Sequence, residues 1–222
     1  TLGRRKKMKN IVWFSEGTKD QKELLGGKGA NLAEMTSIGL PVPAGFIVTT
    51  DVCRQFLENQ QLTQPLVEEI IRAVATLEER THKSFGGNQQ PLLVSVRSGA
   101  KYSMPGMMDT ILNLGLTDQT VQALAANTKN PTFAYDCYRR LIQMYGDVVK
   151  GIDKSHFESY LTTYKHKKGY PSDQSMVAPD WQEICEVFKS IYMEHTQERF
   201  PQDPLEQLLS AVQAVFRSWN NP

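Results

Sequence analysis

The sequence predicts a mixed α/β (α+β) protein, with short strands and helices up to about residue 116 and an all-helical stretch after it. Three observations carry this. Short apolar runs rich in branched and aromatic side chains at 10–14, 46–48, 92–96 and 111–116 read as strands. Between them, apolar positions 66, 67, 70, 71, 74 and 77 recur at helical spacing. Beyond Leu116 the helical period takes over: Phe133, Ala134, Cys137, Tyr138, Leu141, Ile142, Tyr145, Val148 and Val149 keep it over several turns.

Taken in order, Asn10 to Phe14 forms the first strand, and a polar turn at Gly17 leads to Gly26-Gly27-Lys28-Gly29. Three glycines around one lysine predict a flexible loop. A helix over 30–38 follows, with Leu32, Met35 and Ile38 on its apolar side; Gly39 ends it, and Pro41 and Pro43 prevent its return. After the strand 46–48, Thr50 or Asp51 caps a helix through Leu57, and the amphipathic helix from Leu66 comes next. The stretch 91–116 reads as two apolar segments around a long loop of small residues. Asn130-Pro131 supplies an N-cap and a first-turn proline for the long helix. Further helices are expected at 155–165, 180–195 and 204–219. The last has Asp203 as cap, Pro204 at its first position and Glu206 three residues after the cap.

At 222 residues the chain suits one large domain or two small ones, and 40% hydrophobic content supports a core without disulfide staples. The net charge of +1 hides an asymmetry. Arg4, Arg5, Lys6, Lys7 and Lys9 form a basic leader over 1–9 that reads as disordered, leaving 20 basic against 24 acidic residues, or −4. A mildly acidic body argues against nucleic acid. Cys53, Cys137 and Cys185 are widely spaced, odd in number and outside any zinc-ligand spacing, so buried free thiols and a reducing compartment are expected. Neither a membrane span nor a signal-peptide core is present, which points to the cytoplasm. Asn130-Pro131-Thr132 fails as a glycosylation acceptor because of its proline. A start at Thr1 and an end just past a helix suggest part of a longer chain.

The chemistry concentrates in PLLVSVRSGAKYSMPGMMDTILNLGL, residues 91–116. Arg97 stands at a strand end facing a loop of Ser, Gly and Thr. Its planar fork of donors stays charged, and glycines let backbone amides approach an anion, so the arrangement suits a polyphosphate. A β-hairpin with a long connection and a solvated arginine fits the pattern equally well. Gly26-Gly27-Lys28-Gly29 fails the Walker A test, because Lys22 stands where the first glycine belongs and Gly29 where Ser or Thr belongs. A lysine before a helix N-terminus can still hold phosphate, although the loop by itself favours a mobile surface segment. His82, His156, His166 and His195 fall in no ligand or triad spacing, and neither G-x-S-x-G nor H-E-x-x-H occurs. Arg139 and Arg140 interrupt an apolar helix face, either as its wet side or as a docking point.

Taken together, GGKGANLAEM (26–35), LLVSVRSGA (92–100) and SMPGMMDTILNLGL (103–116) resemble the start of the pyruvate, phosphate dikinase family, and FAYDCYRRLIQMYGDVV (133–149) and AVFRSWNNP (214–222) extend the likeness. The related phosphoenolpyruvate synthases share the lysine loop and the Val-Arg-Ser strand end, but Ser103 to Met108 favours the dikinases.

The resemblance implies an ATP-grasp-type lobe over 10–116 that binds Mg-ATP, a helical subdomain over 117–202, and a helix at 203–222 packing back on the first lobe. It implies interconversion of ATP, phosphate and pyruvate with AMP, pyrophosphate and phosphoenolpyruvate. The phosphoryl group would travel on a histidine of a swivelling domain, in an enzyme expected to be a homo-oligomer. Lys28 would contact the nucleotide phosphates, and Arg97 would stabilise the group being transferred. Gly106, Asp109 and Thr110 would belong to a loop closing over the phosphates. The metal-binding carboxylates are expected beyond residue 222, so the chain alone is expected to be inactive. A synthase fragment and a non-catalytic helical interaction module are the alternatives.

Overall fold

The computed structural model describes residues 9–99 and 110–219. Its elements run β1 (Ile11–Trp13), α1 (Lys22–Ser37), β2 (Phe46–Val48), α2 (Thr50–Asn59), α3 (Gln64–Thr81), β3 (Val94–Arg97), β4 (Thr110–Leu114), α4 (Thr120–Thr128), α5 (Pro131–Lys150), α6 (Ser155–Lys168), α7 (Ala178–Thr196) and α8 (Pro204–Ser218). The class is α/β and mostly helical, with two two-stranded antiparallel sheets among the described residues. The chain divides into two units. One holds residues 9–81, 98–99 and 216–219, the other 82–97 and 110–215. The hairpin β3–β4 thus groups with the helices that follow it.

In the first unit, β1 pairs with β2 from Ile11 opposite Val48 to Trp13 opposite Phe46. Trp13 packs edge-on against Phe46 at 5.3 Å and lies under the Arg80 guanidinium at 3.9 Å. The glycine run departs from expectation: Gly27 to Gly29 are helical rather than a flexible loop, and Gly26 alone leaves the helix, as a kink within α1. Its buried face also differs. Leu25, Gly29, Ala30 and Ala33 are buried, while Met35 and Ile38 are 40% and 65% exposed. The small residues win because they let α1 approach the sheet closely: a Cβ on Gly29 would stand 3.1 Å from Ile47 Cδ1. Val12, Leu25, Ala30 and Ala33 form the core there, with Leu24 and Ile47 against it.

In the second unit, β3 pairs with β4 at Val94–Leu114, Val96–Ile111 and Arg97–Thr110. The register slips between Val94 and Val96, and Asn113 takes the left-handed φ of 63° that such a bulge calls for. Its side-chain amide donates to the Cys137 carbonyl at 3.2 Å. Gln207 is fully buried; its Oε1 accepts the Gly115 N–H, and its Nε2 donates to the Leu116 and Pro201 carbonyls, all at 2.8–2.9 Å. Phe200 stands among Tyr138, Tyr145 and Tyr192 at 5.5–6.1 Å.

Two of the expected caps are present, whereas α2 is preceded by Thr49 with no side-chain cap hydrogen bond and is not capped by Thr50 or Asp51. Asn130 Oδ1 accepts the Phe133 N–H, and Asp203 Oδ1 accepts the Leu205 N–H. Helix α4 was not foreseen; the Thr117 hydroxyl starts it by accepting the Gln119 and Thr120 amides. Of the two helix-face arginines, Arg140 is exposed. Arg139 is buried, paired with Asp136 and stacked over Trp181 at 4.5 Å.

Asp180 is buried at the start of α7. Desolvation pushes its carboxyl up, but the Val177 N–H and the Tyr164 and Tyr170 hydroxyls outweigh it, and the net shift is below the usual carboxylate value. A depressed folded value stabilises above the unfolded pKa and is lost as pH falls through the folded one. Asp180→Asn is therefore expected to cost about 1–3 kcal/mol at neutral pH and to flatten the acid limb of a stability profile measured by urea unfolding. The face of α1 can be tested separately. Ala30→Leu is expected to cost about 1–3 kcal/mol by overpacking, and Met35→Ser to stay within about 0.5 kcal/mol, both read by denaturant midpoint.

Candidate functional site

Two glycines determine the geometry around Lys28. At Gly26 the backbone adopts φ 73° and ψ 168°, a conformation essentially closed to residues with a Cβ. This breaks α1, so that a new helical run begins at Gly27. The turn packs directly on the segment after β3. A Cβ on Gly26 would lie 2.7 Å from the carbonyl carbon of Gly99 and 2.9 Å from its Cα. The Gly27 N–H donates to the Gly99 carbonyl at 2.9 Å. Two segments far apart in sequence, Gly26-Gly27 and Ser98-Gly99, are thereby joined backbone to backbone within the first unit.

Ser98 is 1% exposed, and its hydroxyl accepts the indole N–H of Trp219 at 3.0 Å. Trp219 follows directly on α8, whose last turn sets Phe216 against Phe56 at 5.5 Å.

Lys28 is the second residue of the new helical run and is half-buried. A helix start presents the positive end of the backbone dipole, which favours an anion. Arg97 is the last residue of β3, exposed, one peptide bond before Ser98 and opposite Thr110 in the ladder. The structure thus brings Arg97 and Thr110 together in the second unit and places Lys28 in the first. Gly106 and Asp109 lie outside the described residues, as do most of the basic leader and the Ser103 to Met108 stretch. Sequence reasoning missed the partnership of Gly26 with Gly99 and that of Ser98 with Trp219. Each residue had been singled out as part of a motif, but nothing in linear spacing pairs them.

Other chemistries find little support. Burial pushes the thiol of Cys53 up to about 11 and that of Cys185 up to about 12, so both stay protonated at neutral pH. Among the described residues, no group of three or more His, Cys, Asp or Glu gathers as a metal site, and no helix is long and apolar enough to cross a membrane. The second unit has a cavity of about 450 Å³ lined in part by Asp118, Tyr138, Cys185 and Lys189. Its lysine is already engaged by Asp118 at 2.7 Å and Glu186 at 2.8 Å.

The family model described as pyruvate phosphate dikinase, AMP/ATP-binding domain, matches residues 22–72 and 62–222. The chain belongs to this family. It is 54% identical over 214 residues to the pyruvate, phosphate dikinase of Clostridium symbiosum, covering 96% of this chain and 24% of that protein. With the Entamoeba histolytica dikinase the identity is 48% over 213 residues, again 96% of this chain and 24% of the relative. With the chloroplastic dikinase of Mesembryanthemum crystallinum it is 50% over 209 residues, 94% and 22% respectively. The chain spans about a quarter of the length of these relatives.

Gly26→Ala tests the contact that joins the two segments. Positive φ and the approach to Gly99 together are expected to cost about 3 kcal/mol or more in denaturant unfolding. A cost below about 1 kcal/mol would show that the turn accepts a side chain and that the two backbones do not meet as described.

Proposed function

We propose that this chain is the ATP-binding portion of an enzyme that interconverts ATP, phosphate and pyruvate with AMP, pyrophosphate and phosphoenolpyruvate. The observation that carries the reading is the Gly26–Gly99 contact, which fixes the start of the Lys28 helix against the residues that follow Arg97. Family membership adds the nucleotide. In this reading the architecture is of ATP-grasp type and the enzyme is a cytoplasmic homo-oligomer. The phosphoryl group leaves on a histidine of a swivelling domain that is not among these 222 residues.

Lys28 contributes a point charge and the helix dipole to the nucleotide phosphates. Arg97 contributes a planar, permanently charged fork to the group in transfer, where charge spreads over several oxygens. Gly106, Asp109 and Thr110 belong to the loop that closes on the phosphates; Thr110 would act from the first position of β4. Catalysis in this chemistry is chiefly positioning and charge stabilisation, and both residues supply those. Magnesium accompanies ATP, but the described residues offer no set of ligands for it.

Calorimetry with ATP on the full-length protein tests the reading. Lys28→Ala and Arg97→Ala are each expected to weaken binding by about 1.5–3 kcal/mol, roughly ten- to a hundredfold in Kd. Arg97→Lys should recover only part of the loss, because an ammonium lacks the fork. Equal ATP affinity without these side chains would refute their assignment to the site.

A further inference from the structure

The residue after α8 has a role that neither the glycine motif nor the arginine motif explains. Trp219 is half-buried, and its indole N–H is directed at the hydroxyl of Ser98, which is almost completely buried. The indole is held in place by its own surroundings. The backbone N–H of Trp219 donates to the Phe216 carbonyl at 3.2 Å, Phe216 packs on Phe56, and the Arg217 guanidinium lies over the same Phe56 ring at 5.6 Å. A donor fixed in this way constrains its acceptor. Ser98 is bonded to Gly99, whose carbonyl receives the Gly27 N–H and whose backbone packs on Gly26. The contacts therefore run unbroken from Phe56 through Phe216, Trp219, Ser98 and Gly99 to the start of the Lys28 helix, and every described residue in that path lies in the first unit.

We propose that Trp219 is a positioning residue for nucleotide binding, acting through Ser98 to hold the Gly99 carbonyl where it sets the first turn of the Lys28 helix. The proposal rests on the reading that Lys28 binds nucleotide phosphates. Its chemistry is that of a single directed hydrogen bond, not of ring bulk. Phenylalanine at this position would keep most of the apolar contact and lose only the donor. The buried hydroxyl of Ser98 would lose its indole donor, and the Gly99 peptide would lose one of its restraints.

The test uses the full-length protein, with ATP affinity by calorimetry and amide exchange over residues 26–29 by mass spectrometry. Trp219→Phe and Ser98→Ala are each expected to weaken ATP binding about three- to tenfold, the range of one net hydrogen bond. The double variant should be no weaker than Ser98→Ala alone, because the bond that Trp219→Phe removes is already lost with the Ser98 hydroxyl. Exchange at the Gly27 amide should rise in all three. Additive losses, or weakened binding with unchanged exchange at Gly27, would overturn the proposal. Native-like ATP binding by both single variants would overturn it too, while leaving the proposed function intact. Failure of the unsubstituted protein to bind ATP would remove the proposed function itself, and the positioning role with it. A measurement on the unsubstituted protein needs no variant: ATP should shift the Trp219 indole N–H resonance as it protects the Gly27 amide. Protection of Gly27 with an unmoved indole resonance counts against the role.

Discussion

The first unit depends on a contact between two pieces of backbone. Gly26 and Gly99 meet with no side chain on either, and this closeness lets the Gly27 N–H reach the Gly99 carbonyl. Glycine is costly to order, because it gives up more conformational freedom than any other residue. The contact itself supplies little apolar burial to offset that cost. The compensation comes from its neighbours: Leu25 just before the turn and Ala30 and Ala33 just after it are buried, with Ile47 and Val12 against them. The conformation at Gly26 is thus held by packing on both sides of it, as strained backbone generally must be.

The second unit solves a different problem, that of seating a short hairpin among helices. Here polar groups do the specifying. Gln207 satisfies three backbone groups at 115, 116 and 201 with a single side chain that has no access to solvent. Replacing it would leave buried donors and acceptors without partners, which is more costly than the bonds are individually worth. Asn113 serves the same end at the bulge, binding the Cys137 carbonyl of α5. The aromatic cluster around Phe200 supplies apolar burial but little direction. The amide side chains of Gln207 and Asn113 fix the register of β4, and with it the pairing of Thr110 with Arg97.

Much of this was legible in the sequence, and the exceptions have physical causes. Helices with a wide apolar stripe and a recognisable cap, α5 and α8 above all, follow from period and from Asn130 and Asp203. Strand ends were legible as well, including Arg97 at the close of β3. Helix α4 escaped notice because its residues are small and its cap is a local threonine turn, not a charged signature. The first helix was misjudged on both start and face. Glycine reads as a breaker by propensity, yet at 27 and 29 its lack of a side chain is what the close packing of α1 requires. Large residues such as Met35 and Ile38 draw attention as a core face, although the buried contact belongs to Ala30 and Ala33. The motifs that meet around Gly26 were legible one by one. Their meeting was not, because Ser98 meets Trp219 and Gly26 meets Gly99 only through tertiary structure.

The failed Walker A comparison then has a structural explanation. In a phosphate-cradling loop, glycines are needed so that backbone amides can surround an anion. Here each glycine has other work: Gly26 makes room for Gly99, Gly29 makes room for Ile47, and the Gly27 amide is spent on the Gly99 carbonyl. The glycines fix where a helix starts and how closely it lies on its neighbours. On the proposed reading, the lysine side chain and the helix dipole are the motif's means of holding a phosphate. A motif of this kind is specific because its spacing answers to the packing of this fold. It therefore identifies a family well, while satisfying none of the general tests for a nucleotide loop.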